Sequence, residues 1–292
     1  MHLKLPTQSK ESGVYFMLIS VFFFAIMNAT AKSLHHIPVH ELVLFRSLIV
    51  FSVSFYFIRK LRLPVAGNNK KWLLIRGISG LTALLLFFMT LKNLPLAAAT
   101  SLQYLSPIFT VIFAVWLNHQ KVRPVQWIYF AIAFLGVLCI KGFNNNMSTT
   151  WVFVGVLSSI VAGFAYNSII RLRHSDHPYT IVIHLTFVSI PVTVIWSLFD
   201  FVMPLGMDWF WLMVMGICTQ IAQFYATKAL ISGRADQVTP WNYTGAVFSL
   251  IIGYFVFDEM VSWMSLIGIC FIVVALLLNS RLREVAELEP KV

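Results

Sequence analysis

The chain has 292 residues, of which 59% are hydrophobic and only 11% charged, with a formal net charge of +10 and a mean hydropathy of +0.82. That is too little polar surface to cover a water-soluble globule of this length, so the composition excludes a soluble domain and implies an integral membrane protein. Apolar residues come in blocks of roughly 20, each about 30 Å long as a helix, which fits the hydrocarbon thickness and not the short alternating strands of a membrane barrel.

In chain order, residues 1–11 form a short polar tail, and the apolar run behind them lacks a small-residue cleavage site, so no removable signal peptide is expected. Ten spans follow, at about 12–33, 39–58, 72–92, 96–118, 124–142, 150–171, 179–201, 208–230, 235–257 and 262–280, with a polar tail over 281–292. The links are short, which predicts one all-α polytopic bundle without a soluble domain. Lys and Arg alternate in density from link to link. One side collects Lys4, Lys10, Arg59, Lys60, Arg62, Lys70, Lys71, Lys121, Arg123, Arg171, Arg173, Lys228, Arg234, Arg281, Arg283 and Lys291; the other receives Lys32, Lys92 and Lys141. This asymmetry predicts that both termini are cytoplasmic. It also accounts for most of the positive charge as topology charge beside anionic lipid, so no nucleic-acid partner is expected.

Sliding the chain against itself by 139 residues brings Asn28 onto Asn167, Lys32 onto Arg171, Gly77 onto Gly216, Gln103 onto Asn242, Tyr104 onto Tyr243, Phe109 onto Phe248 and Val122 onto Val261. The offset defines two repeats, 12–142 and 150–280, each of five spans. An odd number forces the halves to insert in opposite senses, the inverted-topology construction of secondary transporters whose site lies between the repeats. The stretch Leu96 to Arg123 is the centre of the first repeat: it enters on small residues, carries Gln103-Tyr104 inside an apolar run, and leaves in a basic turn.

Several local motifs then resemble the EamA-type members of the drug/metabolite transporter superfamily over nearly the whole chain. They are His40-Glu41-Leu42-Val43-Leu44-Phe45-Arg46 opening span two, Leu94-Pro95-Leu96-Ala97-Ala98-Ala99 entering span four, Ser106-Pro107 within it, Phe257-Asp258-Glu259, and Gly268 in the last span. The first half departs from the family in having Asn118-His119-Gln120 where a glutamate is common. The resemblance implies a central cavity enclosed by spans one, three, four, six, eight and nine, small metabolites as cargo, and room for a homodimer through spans five and ten.

Polar side chains at membrane depth need a partner helix or a wet cavity. Asn28, Gln103 and Tyr104 lie toward the outer half of the bilayer, and their mates Asn167, Asn242 and Tyr243 toward the inner half. Together they form two polar rings along a solute path, with Thr82, Gln220 and Gln223 extending the set and Tyr166, Tyr225 and Trp241 as amphipathic walls. The alternatives are helix ties worth about 0.6 kcal/mol each for the amides and interfacial anchoring for the aromatics. Glu41, Arg46 and Glu259 are read as structural charges at the outer face, with Arg46 pairing to an acidic neighbour, and Arg76 as snorkelling to the cytoplasmic surface.

No Asp or Glu lies near the centre of a span, which argues against proton-coupled export of cations. His184 reads as a hydrogen-bonded core residue. The cluster His35, His36 and His40 lacks a completing ligand, so no metal site is expected, and no cofactor motif is present. Cys139, Cys218 and Cys270 read as small core residues. The sequence therefore predicts a non-enzymatic transporter of a neutral or zwitterionic metabolite, amino acid, nucleoside-like compound or organic anion in the cell inner membrane. The alternatives are an intramembrane enzyme on a lipid-linked substrate and a non-transporting scaffold.

Overall fold

A computed structural model describes residues 11–94, 96–141, 148–257 and 263–288. Within them all regular secondary structure is helical and there is no strand. The helices are α1 (Glu11–Ser33), α2 (Val39–Lys60), α3 (Lys70–Asn93), α4 (Leu96–Gln103), α5 (Ser106–Asn118), α6 (Pro124–Lys141), α7 (Thr149–Leu172), α8 (Pro178–Ser197), α9 (Asp208–Ser232), α10 (Ala235–Val238), α11 (Thr244–Phe257) and α12 (Trp263–Leu288). A 3-10 turn, Thr239–Tyr243, joins α10 to α11. Five helices, α1, α2, α3, α7 and α8, are long and apolar enough to cross a membrane.

Two spans expected to be continuous are interrupted. Residues 96–118 split into α4 and α5 around Tyr104-Leu105, because Pro107 in the first turn of α5 has no N–H to give the carbonyl of Gln103. Residues 235–257 split likewise, with Pro240 inside the 3-10 turn. Gln103-Tyr104 and Asn242-Tyr243 thus sit at the two breaks. The seventh span stops at Ser197, four residues before the expected end, and α12 stays helical through Leu288, beyond the expected start of the tail.

Packing between the halves is reciprocal. α1 packs along α9 as α7 does along α3, α2 on α9 as α8 on α3, and α1 on α11 as α7 on α5, while α2 meets α8 and α6 meets α12 across the symmetry. The glycines at equivalent positions mark two of these contacts. A Cβ on Gly77 would lie 2.6 Å from Val188 of α8, and one on Gly216 would lie 2.3 Å from Ile49 of α2. Small residues let membrane helices approach this closely, where dispersion replaces a hydrophobic drive.

Apolar clusters close both ends of the bundle. One joins the C-terminal end of α1 to the start of α2 and to α3, α8 and α9, through Met27, Ile37, Val43, Phe88 and Met215. The other joins the opposite end, through Met17, Leu73, Leu172, Ile181 and Leu230. Large apolar side chains such as Trp116, Phe153, Phe255 and Trp263 remain exposed on the outside of the helices, the pattern of a lipid-facing surface. Of the cysteines, Cys218 is buried and Cys139 half-buried, but Cys270 is exposed on α12 and so is no core residue.

Candidate functional site

Between the two apolar ends lies a central cavity with an empty volume of about 970 Å³ including its mouth. It is lined from the middle of α1, α2, α3, α7 and α9 and from both interrupted segments. Of the residues expected at the site, Asn28, Gln103, Tyr104, Tyr166, Gln223 and Asn242 line it. The helix breaks explain how Gln103 and Asn242 arrive there: a backbone that leaves helical geometry at membrane depth is tolerated where it faces a cavity. Gln103 is held by Ser158 of α7, whose hydroxyl donates to its Oε1 at 3.2 Å and to the Ala83 carbonyl at 2.8 Å. Tyr104 lies against Gly245, where a Cβ would stand 2.7 Å from its hydroxyl, so the ring fits only beside a glycine.

The other expected residues lie elsewhere. Thr82 is exposed on the outer face of α3, its hydroxyl donating to the Ile78 carbonyl at 2.9 Å. Asn167 is fully buried and ties α7 to α5: its Nδ2 donates to the carbonyls of Thr110 at 2.8 Å and Gly163 at 3.0 Å. Gln220 accepts from the Ser54 hydroxyl at 3.1 Å and so links α9 to α2. Tyr243 is 0% exposed and packs among Ala133, Ala246, Ile272 and Ala275 between α6 and α12, with Trp241 against the same cluster. Tyr225 packs in a tilted contact with Phe16 and edge-to-face with Phe224 near the far end of α9. Asn167, Gln220 and Tyr243 thus hold helices together.

Arg46 and Arg76 reverse the expectation. Neither snorkels: both are 2% exposed, and both line the cavity. Arg76 Nη2 donates to Gln223 Oε1 at 3.1 Å. Arg46 approaches only the Met27 sulfur, at 4.0 Å, and the Phe88 ring, at 5.9 Å from its centroid. Glu41, one acidic residue that Arg46 could have paired with, instead accepts from the Val202 backbone N–H at 2.6 Å and stands 4.0 Å from His40. Glu41 thereby pins the α8–α9 connection to the start of α2. Glu259, the remaining expected structural charge, lies outside the described residues. Asn28 Oδ1 and the Nε atoms of Arg46 and Arg76 are buried with no hydrogen-bond partner. The expected lining of amides and aromatics is thus extended: it combines amides with two guanidinium groups.

His36 and His40 serve the connections at one end of the bundle. His36 Nε2 pairs with Asp208 at 3.0 Å, and His40 stacks on Trp196 and donates to the Asp200 carbonyl at 2.6 Å. His184 donates from Nδ1 to the Thr180 carbonyl at 2.7 Å, a helix-internal bond. Among the described residues no group of three or more metal-ligating side chains comes together.

The model of the EamA-like transporter family matches residues 11–142 and 149–281, nearly the entire chain in two segments. The chain belongs to the EamA-like transporter family. Among curated relatives, the pseudopaline exporter CntI of Pseudomonas aeruginosa is 30% identical over 281 residues, covering 94% of this chain and 98% of that protein. An S-adenosylmethionine uptake transporter of Rickettsia felis is 29% identical over 208 residues, 68% of this chain and 69% of that protein. A solved crystal structure superposes with a TM-score of 0.81 at 17% identity, covering 94% of this chain and 99% of the other, a likeness of fold alone. As a member of the EamA-like family this chain is an integral membrane protein with transporter relatives, and the reciprocal packing matches the two-segment family pattern.

Proposed function

We propose that the protein is a secondary transporter that moves a small metabolite across the inner membrane by alternating access between its two halves. The ten spans form two five-helix repeats of inverted topology, over 12–142 and 150–280, with both termini cytoplasmic. The observation that carries this reading is the convergence of both interrupted helices on one central cavity, with an apolar cluster toward each end of the bundle. Asn28, Gln103, Tyr104, Tyr166, Gln223 and Asn242 contact the solute, and the two clusters open in turn. Similarity to an exporter of pseudopaline and to an uptake transporter of S-adenosylmethionine supports a small-molecule cargo and shows that related chains work in both directions.

A thermal-shift screen of the detergent-purified protein against a metabolite library tests this. A bound solute stabilises by about 2.7 kcal/mol at a hundredfold excess over Kd. At least one small metabolite should raise the Tm, and the rise should disappear in Asn28→Ala and Asn242→Ala proteins that remain monodisperse. Shifts that survive both substitutions would move the binding site away from the repeat interface.

A further inference from the structure

Arg46 and Arg76 are two buried cations that face one cavity without an acid to balance them. Among the described residues no carboxylate pairs with either guanidinium, and none lines the cavity. A guanidinium offers five N–H donors, yet among the described residues the side-chain hydrogen bonds to these two are one to the Met27 sulfur from Arg46 and one to Gln223 from Arg76, with the Phe88 ring beside Arg46 and both Nε atoms unpartnered. Removing such a charge from water costs several kcal/mol even after relaxation, and breaking a buried pair by losing one partner is strongly destabilising. Two such groups beside one cavity form half of an ionic site.

The local chain is built to keep them there. A Cβ on Gly80, one turn after Arg76, would stand 2.0 Å from Arg76 Nη1 and 2.8 Å from Leu185. Glycine at that position lets the Arg76 side chain lie along α3 toward the cavity, away from the Lys70-Lys71 end. The 139-residue offset places Leu185 opposite Arg46 and Met215 opposite Arg76, so the charge is a property of the first half and not of the repeat. Amides supply the rest of the lining: Asn28 Oδ1 is buried and free to accept, and Asn242 stands at the second helix break.

We infer that the cargo is an organic anion carrying more than one carboxylate or phosphate group, clamped by Arg46 and Arg76 while Asn28, Gln103 and Asn242 hold its polar remainder. This rests on the transporter reading above. Planar guanidinium forks match both oxyanions in bidentate geometry, and a lysine would not. The absence of an acid from the described lining leaves a cation without a counter-charge.

The test is uptake by proteoliposomes of the full chain from an equimolar mixture of di- and tricarboxylates, sugar phosphates, nucleosides, polyols and polyamines, read by mass spectrometry. The wild type should accumulate carboxylates or phosphate esters, whichever class the site takes. Arg46→Gln and Arg76→Gln should each reduce that uptake at least about tenfold, and Arg46→Lys should restore only part of it. Uptake confined to neutral or cationic solutes, or anion uptake that survives both Gln substitutions, overturns the clamp and leaves the transporter reading standing. No uptake of any class overturns both. Should the Gln variants misfold, labelling of the folded wild type with phenylglyoxal gives a second readout. The transported anion should shield Arg46 and Arg76 at least about tenfold while Arg59 and Arg62 react freely; equal reaction with and without the anion contradicts the clamp.

Discussion

Asn28 and Asn167 occupy equivalent positions in the two halves, 139 residues apart, and do opposite things. Asn28 faces the cavity with a free Oδ1, whereas Asn167 spends its amide on the carbonyls of Thr110 and Gly163. The same division separates Tyr104, at the cavity, from Tyr243, sealed between α6 and α12. It separates Arg46 and Arg76 from their apolar mates Leu185 and Met215. Duplication has kept the backbone contacts and let the chemistry diverge, so equivalent substitutions in the two halves should have unequal effects.

The largest difference is expected at Gly163 and its mate Phe24. A Cβ on Gly163 would lie 2.7 Å from the Phe109 side chain and 2.9 Å from the backbone of Phe109 and Thr110, on a rigid α5. Gly163→Leu should destabilise by about 3 kcal/mol or remove the folded protein, while Phe24→Leu at the cavity wall should change stability by less than about 1.5 kcal/mol. Thermal unfolding of the purified proteins distinguishes them. Next come the asparagines themselves. Asn167→Ala should cost about 1 to 2 kcal/mol by breaking the α5–α7 tie. Asn28→Ala removes an unsatisfied oxygen, so stability should change by less than about 0.5 kcal/mol while the solute-induced Tm shift is lost.

Gly80 and its mate Thr219 probe the arginines. Gly80→Ala should displace the Arg76 guanidinium and weaken solute binding roughly fivefold, for about 1 kcal/mol of stability. Thr219, whose hydroxyl bonds the Met215 carbonyl within its own helix, should tolerate Ala within about 0.5 kcal/mol and leave binding unchanged. Solute titrations followed by tryptophan fluorescence compare the two.

The smallest effect should appear at the helix caps. Pro38, preceding α2, provides no side-chain cap, but its mate His177 accepts the Tyr179 N–H through Nδ1 at 3.3 Å. Burial, helped by the positive charge of Lys228, holds the His177 imidazole below its usual pKa. The neutral form therefore stabilises the fold above the ordinary histidine pKa of about 6.5, and that contribution is lost as pH falls through the lower folded value. Stability should drop by about 0.5 kcal/mol on acidification, and His177→Asn, which keeps an acceptor but does not titrate, should flatten that slope.

The sequence carries the helix positions well, because blocks of about 20 apolar residues and charged links leave few arrangements in a membrane. The interruptions at Tyr104 and within Thr239–Tyr243 escape hydropathy, since both stretches stay apolar enough on average to read as one span. Pro107 and Pro240 were the available signals. The repeat offset points to cavity-lining positions at Gln103 and Asn242, whereas at Asn167 and Tyr243 the equivalent residues pack between helices. Arg46 and Arg76 depart from the expectation for a physical reason. Distance from a span end gives depth but not the direction a side chain takes, and Gly80 turns Arg76 inward.

The central claim is that the cavity between the halves is the solute path, and plugging it tests that claim most directly. Ala162 lines the cavity from α7 and is 6% exposed, so Ala162→Trp would project an indole into the space. Uptake of the transported solute by proteoliposomes should fall to the rate of protein-free liposomes in an Ala162→Trp protein that stays monodisperse. Undiminished uptake by that protein would contradict a path through the cavity.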